Sequence, residues 1–96
     1  MFFIYILQCS DGSYYVGSTH DVPSRIAIHN SGKGPGFTAV RLPVVLVHQE
    51  PYATLEEAVR RERRLKGWSH AKKHALVTGD REQLKALSKS RQTKAG

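Results

Sequence analysis

Three groups of side chains in this 96-residue chain are of types, and at spacings, that do chemistry. The first is a carboxylate out of place. Leu55, Ala58, Val59 and Leu65 recur at helical spacing, and position 62 falls on the same stripe but holds Glu62. A carboxylate on a core-facing stripe is costly unless a metal ion, an arginine or a hydrogen-bond network neutralises it. Glu62 reads either as a ligand for a hard cation or as a residue at the margin of the stripe, paired with Arg25 or a neighbouring arginine. The second group is Arg25 and His29, four residues apart and therefore on one helix face. Such a pair suits a phosphate, arginine through its two-pronged fork and histidine as a donor when protonated; without a ligand it is a solvated face. The third group is Tyr5 and Tyr15. Each alone reads as a core residue with a bonded hydroxyl, and only convergence with an arginine and a carboxylate would make the pair chemical.

The elements that must position these residues follow from local pattern. Phe2 to Gln8 carries Phe3, Tyr5 and Leu7 on one face and Phe2, Ile4 and Ile6 on the other, as in a central strand covered on both sides. Asp11-Gly12 turns the chain into a second strand, Tyr14 to Ser18, in which Tyr14 and Tyr15 point to opposite faces. Asp21 ahead of Val22-Pro23 predicts a short helix from Pro23 to Asn30, stopped by Ser31-Gly32-Lys33-Gly34-Pro35-Gly36. That glycine-rich run lacks the Gly-Lys-Ser/Thr ending of a nucleoside-triphosphate site and reads as a mobile loop close to the substrate. Val44 to His48 is a third strand, separated from the hairpin by the helix and so expected beside the central strand, in the order 2-1-3. Thr54 and Glu57 form a capping box for a helix from Leu55 to Lys66, which Gly67 ends. Ser69 caps a further helix to Val77, and Asp80 another to Ser88 with Leu84 and Leu87 turned inward.

The length suits one domain, residues 1–88, followed by a basic flexible tail over residues 89–96 in which nothing apolar exceeds alanine. Hydrophobic residues at 40% and charged residues at 24% are ordinary for a folded chain and argue against disorder. No run approaches the roughly 20 apolar residues that cross a bilayer. The apolar opening lacks the basic leader and cleavage site of a signal peptide. Cys9 has no partner for an internal disulfide, and no Cys/His array has zinc spacing, so a reducing cytoplasm fits. The net charge of +7 is unevenly placed: residues 1–59 hold three Lys/Arg against five Asp/Glu, and residues 60–96 hold twelve against three. The two parts are therefore −2 and +9, and the second would attract a polyanion such as nucleic acid.

Phe3-Ile4-Tyr5 followed by Tyr15-Val16-Gly17 resembles the paired Gly-Ile-Tyr and Tyr-Ile-Gly motifs of the GIY-YIG nucleases. Arg25, ten residues after Tyr15, His29, four further on, and Glu62 on the next long helix stand where that family's active centre places them. Asn30-Ser31-Gly32-Lys33-Gly34 and Arg61-Glu62-Arg63-Arg64-Leu65-Lys66-Gly67-Trp68-Ser69 are similar to its small single-domain bacterial branch. The resemblance spans Phe2 to Val77 and rests on the ordered set of five positions rather than on either tripeptide.

What the resemblance implies is an α+β fold, ββαβα with two further helices, in which helices flank a three-stranded antiparallel sheet. It also implies hydrolysis of a DNA phosphodiester with one divalent ion. Glu62 would ligate Mg²⁺ or Mn²⁺, and Arg25 would hold the non-bridging oxygens as the transition state forms. Tyr5 would orient or deprotonate the attacking water, with Tyr15 and His29 completing the proton-transfer chain. Lys33, Arg61, Arg64, Lys66, Lys72 and Lys73 are the expected DNA contacts. The pattern departs from the family at Phe3, where the first motif has glycine, at Ser18, where repair nucleases have lysine, and at His74, where many relatives carry asparagine. The implied target is DNA in repair or recombination, or single-stranded or branched DNA, with a protein partner or the DNA's own shape supplying specificity. Two other readings stand beside this one: a non-catalytic module that tracks nucleic acid with its basic C-terminal segment, and a strand transferase with a tyrosine nucleophile. Trp68 reads as a packing residue rather than a base platform.

Overall fold

Apolar on both faces, Phe2–Gln8 can satisfy its side chains only in the middle of a sheet, and that is where it lies. The computed structural model describes residues 1–95, with the side chains of residues 1–88. Its elements are β1 (Phe2–Gln8), β2 (Tyr14–Thr19), α1 (Val22–Asn30), α2 (Gly36–Ala39), β3 (Val45–Tyr52), α3 (Leu55–Lys66), α4 (His70–Thr78) and α5 (Arg81–Ala95). The strands form one antiparallel sheet ordered β2-β1-β3, so the α+β class and strand order read from the sequence hold. In this sheet Tyr5 faces Gly17 across the β1–β2 ladder.

Each face of β1 makes its own core. Ile4 and Ile6 pack with Tyr14 and Val16 of β2 and with Ala58 and Leu65 of α3. On the other face Tyr5 and Leu7 pack with Cys9 and Val44, flanked by Tyr15, Ile26 of α1 and Leu42. Alternation along β1 thus sends one set of side chains to α3 and the other to α1. Cys9 is a buried free thiol.

Helix starts follow their caps. The Asp21 carboxylate accepts from Ser24 N–H, Thr54 Oγ1 from Glu57 N–H, Ser69 Oγ from Lys72 N–H and Asp80 Oδ1 from Gln83 N–H. The Thr54 box closes differently from the reciprocal form: the Glu57 carboxylate takes the threonine hydroxyl proton, at 3.0 Å, instead of a backbone N–H. Gly79, at φ 74°, ends α4 in the left-handed conformation.

Three boundaries differ from the sequence reading by more than one residue. β3 runs on to Tyr52 through Pro51, which an edge strand tolerates because only one side of it is bonded. The glycine-rich run is not loop throughout: after Gly32 (φ 83°) it enters α2, a single helical turn starting at Gly36. α5 continues past Ser88 to Ala95 as backbone, and the side chains of the expected basic tail, residues 89–96, lie outside the described residues. Among the described residues no helix is long and apolar enough to cross a membrane.

Candidate active centre

The centre starts from a glycine. A Cβ at position 17 would stand 2.5 Å from the Tyr5 hydroxyl oxygen and 2.6 Å from its Cζ, so the ring of Tyr5 can lie across β2 only because Gly17 has no side chain. There the phenol oxygen meets His29 Nε2 at 3.1 Å. His29 sits in the last turn of α1, is fully buried, and has its Nδ1 2.8 Å from Thr38 Oγ1 of α2. Tyr15, from the same face of β2, packs edge-on to His29 with ring centres 5.1 Å apart and 6.4 Å from the Tyr5 ring.

Arg25, one helical turn before His29, completes this side. Burial raises the Tyr5 pKa, the adjacent Arg25 guanidinium lowers it, and Tyr15 and Glu62 raise it again; the net shift is upward. Burial, then the Arg25 charge, pushes the His29 pKa down. Tyr5 and His29 are therefore both neutral near pH 7. Arg25 Nε is buried without a hydrogen-bond partner. An unsatisfied buried donor costs about 1–3 kcal/mol, and an anion brought to this place would satisfy it.

Glu62 approaches from the opposite face. Its Oε1 accepts from Ser18 Oγ at 2.6 Å and its Oε2 pairs with Lys66 Nζ at 2.7 Å. Ser18 stands across from Ile4, on the α3 side of the sheet, whereas Tyr5 and Tyr15 belong to the α1 side. β2 is an edge strand, and its adjacent residues Gly17 and Ser18 stand opposite Tyr5 and Ile4, which belong to the two different faces. The pairing of Glu62 with an arginine, left open by the sequence, is replaced by a serine and a lysine.

A divalent cation fits this donor set. Glu62 is 18% exposed, and each of its oxygens has one protein partner, leaving a lone pair for an ion, with the exposed Lys66 ammonium as the cation that the ion would displace from Oε2. Among the described residues there is no cluster of three or more His, Cys, Asp or Glu that would enclose an ion. Magnesium in particular suits a single carboxylate supplemented by waters and substrate oxygens.

The basic residues expected to touch DNA divide. Lys33 and Arg64 are exposed, and Lys66 is exposed beside Glu62. Arg61 instead forks onto Glu50, with Nε 3.0 Å from Oε1 and Nη2 3.2 Å from Oε2. Lys72 is buried, its Nζ 4.1 Å from the centre of the Trp68 ring, and Lys73 is half-buried with its pKa lowered by burial. Trp68 packs against the α3-side core. His74 is removed from the centre, bonded through Nδ1 to Tyr14 Oη at 2.8 Å on the α3 side. Sequence reasoning passed over Ser18 as a partner of Glu62 and over Thr38 altogether, because neither residue type signals a bond to a group 44 or 9 positions away.

A family model described as the GIY-YIG catalytic domain matches residues 1–75. A UPF0213 protein of Halobacterium salinarum is 49% identical over 76 residues, covering 79% of this chain and 99% of that protein. UPF0213 proteins of Staphylococcus aureus, such as that of strain N315, are 48% identical over 75 residues, with 78% and 92% covered. The solution structure of the UPF0213 protein BH0048 from Bacillus halodurans superposes with a TM-score of 0.53 at 46% identity, over 81% of this chain and 84% of that one. That of the protein EF2693 from E. faecalis gives 0.55 at 33% identity, over 80% and 82%.

Proposed function

Since this chain belongs to the GIY-YIG catalytic-domain family, a nuclease family whose members generally use divalent metals, we propose that it is an endonuclease that hydrolyses DNA phosphodiester bonds with Mg²⁺ or Mn²⁺. Tyr5, Tyr15, Arg25, His29 and Glu62 form the centre. The observation that carries this reading is the convergence of a buried phenol, a buried imidazole and an arginine with an unsatisfied Nε on one side of Gly17, with a carboxylate at the rim.

Arg25 binds the non-bridging oxygens of the scissile phosphate. Its buried Nε gains a partner when they arrive, and the contact strengthens as negative charge builds. Tyr5 orients the attacking water through its phenol oxygen and takes part in removing its proton, while His29 receives or supplies the proton on the far side and Tyr15 walls the imidazole. Glu62, oriented by Ser18, would hold the cation, whose chemistry is Lewis-acid relief of charge on phosphorus and the departing oxygen. Lys33 and Arg64, both exposed, face the DNA backbone, and Lys66, paired with Glu62, lies nearest the cleaved bond. DNA in repair or recombination, or in single-stranded or branched form, is the substrate class, and the cytoplasm is the compartment that the free Cys9 fits.

The test is incubation of the purified chain with single-stranded, duplex, flap and junction DNAs, with and without Mg²⁺ or Mn²⁺, beside Glu62→Gln. Metal-dependent cleavage of at least one substrate, lost in the variant while DNA binding persists, is expected. Undiminished cleavage by Glu62→Gln would remove the metal assignment, and binding without cleavage of any substrate would leave a non-catalytic module.

A further inference from the structure

His29 is held at both ends of its ring, and only one of the two bonds lies within the group assigned to the reaction. On the far side from Tyr5, Nδ1 is 2.8 Å from Thr38 Oγ1, and both residues are fully buried. A threonine hydroxyl has one proton. Thr38 Oγ1 lies 3.1 Å from the Pro35 carbonyl oxygen, the bond that helical threonines commonly make three residues back. A hydroxyl proton directed there, to a carbonyl that also accepts Thr38 N–H and Ala39 N–H, leaves Oγ1 a lone pair for the imidazole and places the ring hydrogen on Nδ1. Nε2 is then bare, and the Tyr5 phenol donates to it across 3.1 Å. In that arrangement the bonds run in one direction: Tyr5 O–H to Nε2, Nδ1–H to Thr38, Thr38 O–H to Pro35.

We infer that Thr38 is a positioning residue of this centre: its hydroxyl sets the tautomer of His29 and thereby makes Nε2 the acceptor of the Tyr5 proton. The phenol oxygen is left with its lone pairs toward Arg25 and the substrate, as a group that accepts a proton from water must be. The opposite tautomer would put an N–H against the phenol oxygen and block that role. The device also explains the turn of α2 after the glycine-rich run. Gly34 lies against His29, where a Cβ would stand 3.0 Å from Nδ1 and 3.1 Å from Cα, and this close approach lets the chain fold back to bring Thr38 under the ring.

The inference rests on the nuclease reading only in its kinetic consequence, so its primary test is spectroscopic. Nitrogen-15 spectra of histidine-labelled full-length protein at neutral pH should show His29 as a single tautomer protonated at Nδ1. Thr38→Ser keeps the hydroxyl and should keep that signature. Thr38→Val keeps the branched shape without the acceptor and should shift His29 toward a mixture or the Nε2–H form. Tyr5→Phe should leave the tautomer unchanged, since Thr38 and not Tyr5 selects it. If the wild-type chain cleaves DNA, Thr38→Val should lower kcat roughly tenfold or more with KM little changed, the scale typical of partners that orient a working imidazole. An Nε2–H tautomer in the wild-type protein overturns the inference. So does an unaltered Nδ1–H signature in folded Thr38→Val, or a tautomer that changes in Tyr5→Phe or Thr38→Ser. A wild-type chain that shows the expected tautomer and cleaves nothing would sink the nuclease reading and leave the bond network standing.

Discussion

Arg61 and Glu62 are neighbours in the chain and lie about 100° apart around α3, so the helix presents them to opposite flanks of the sheet. On the β3 flank Arg61 meets Glu50; on the β2 flank Glu62 meets Ser18. The two carboxylates are used in contrasting ways. Glu50 takes two partners on each oxygen: Tyr52 Oη and Arg61 Nε on Oε1, His48 Nε2 and Arg61 Nη2 on Oε2. Burial would raise its pKa, but the hydrogen bonds from Arg61, His48 and Tyr52 outweigh that and hold it at about 2. Glu62 has one hydroxyl and one exposed ammonium, and remains open to a further ligand. A saturated carboxylate is a fastener, and an under-coordinated one at a rim is available for chemistry.

The largest expected effects come from exchanging the two roles. Glu62→Gln should lower cleavage by about a hundredfold or more, as loss of a charge-stabilising group at a reacting centre does, with thermal stability nearly unchanged. Glu50→Gln should do the reverse, costing folding stability on the order of 2–3 kcal/mol while the folded fraction cleaves at the wild-type rate. Thermal melts and turnover measured on both variants decide this, and the contrast fails if Glu50→Gln is as inactive as Glu62→Gln at a temperature where it is folded.

Gly17→Ala probes the seam between the halves. Its methyl group would sit inside the space of the Tyr5 hydroxyl, so overpacking of about 1–3 kcal/mol should accompany a loss of turnover out of proportion to any loss of DNA affinity. Retention of full activity would mean that the phenol need not lie across β2.

Acid separates the flanks next. A carboxyl whose pKa is lower folded than unfolded contributes stability that is present above the unfolded value and is lost as pH falls through the folded one. For Glu50 that window runs from the ordinary 4.5 down to about 2, and the contribution above it is on the order of 2–3 kcal/mol. Denaturant midpoints should therefore decline more steeply between pH 4.5 and pH 2 in the wild-type chain than in Glu50→Gln. Parallel profiles would remove Glu50 as the fastener.

The smallest effect is at Ser18. Ser18→Ala leaves Glu62 with Lys66 alone and should reduce turnover about three- to tenfold through a less well oriented carboxylate, with Mn²⁺ binding weakened by a similar factor. Tighter Mn²⁺ binding would show that the serine competes for the oxygen instead of aiming it.

Much of this arrangement was legible in the chain itself. Alternation on β1 exposes two apolar faces, which dictates a central strand and hence the order β2-β1-β3, and the caps at Asp21, Thr54, Ser69 and Asp80 place the helix starts. These are local effects, decided within one turn or one pleat. The five residues proposed for the centre could be named because their types and order match the family's motifs, whatever the fold does with them. What tertiary structure alone decided is how they combine. Arg61, basic and on a basic helix, reads as a DNA contact until β3 runs past Pro51 and presents Glu50 to it. Glu62 reads as a core anomaly until Ser18, 44 residues away, appears beneath it at the rim of an edge strand. Thr38 has no signal at all, because a threonine in a short turn is polar filler until α2 folds it under His29. Such partners are selected by distances across separate elements, and residue spacing carries no information about them.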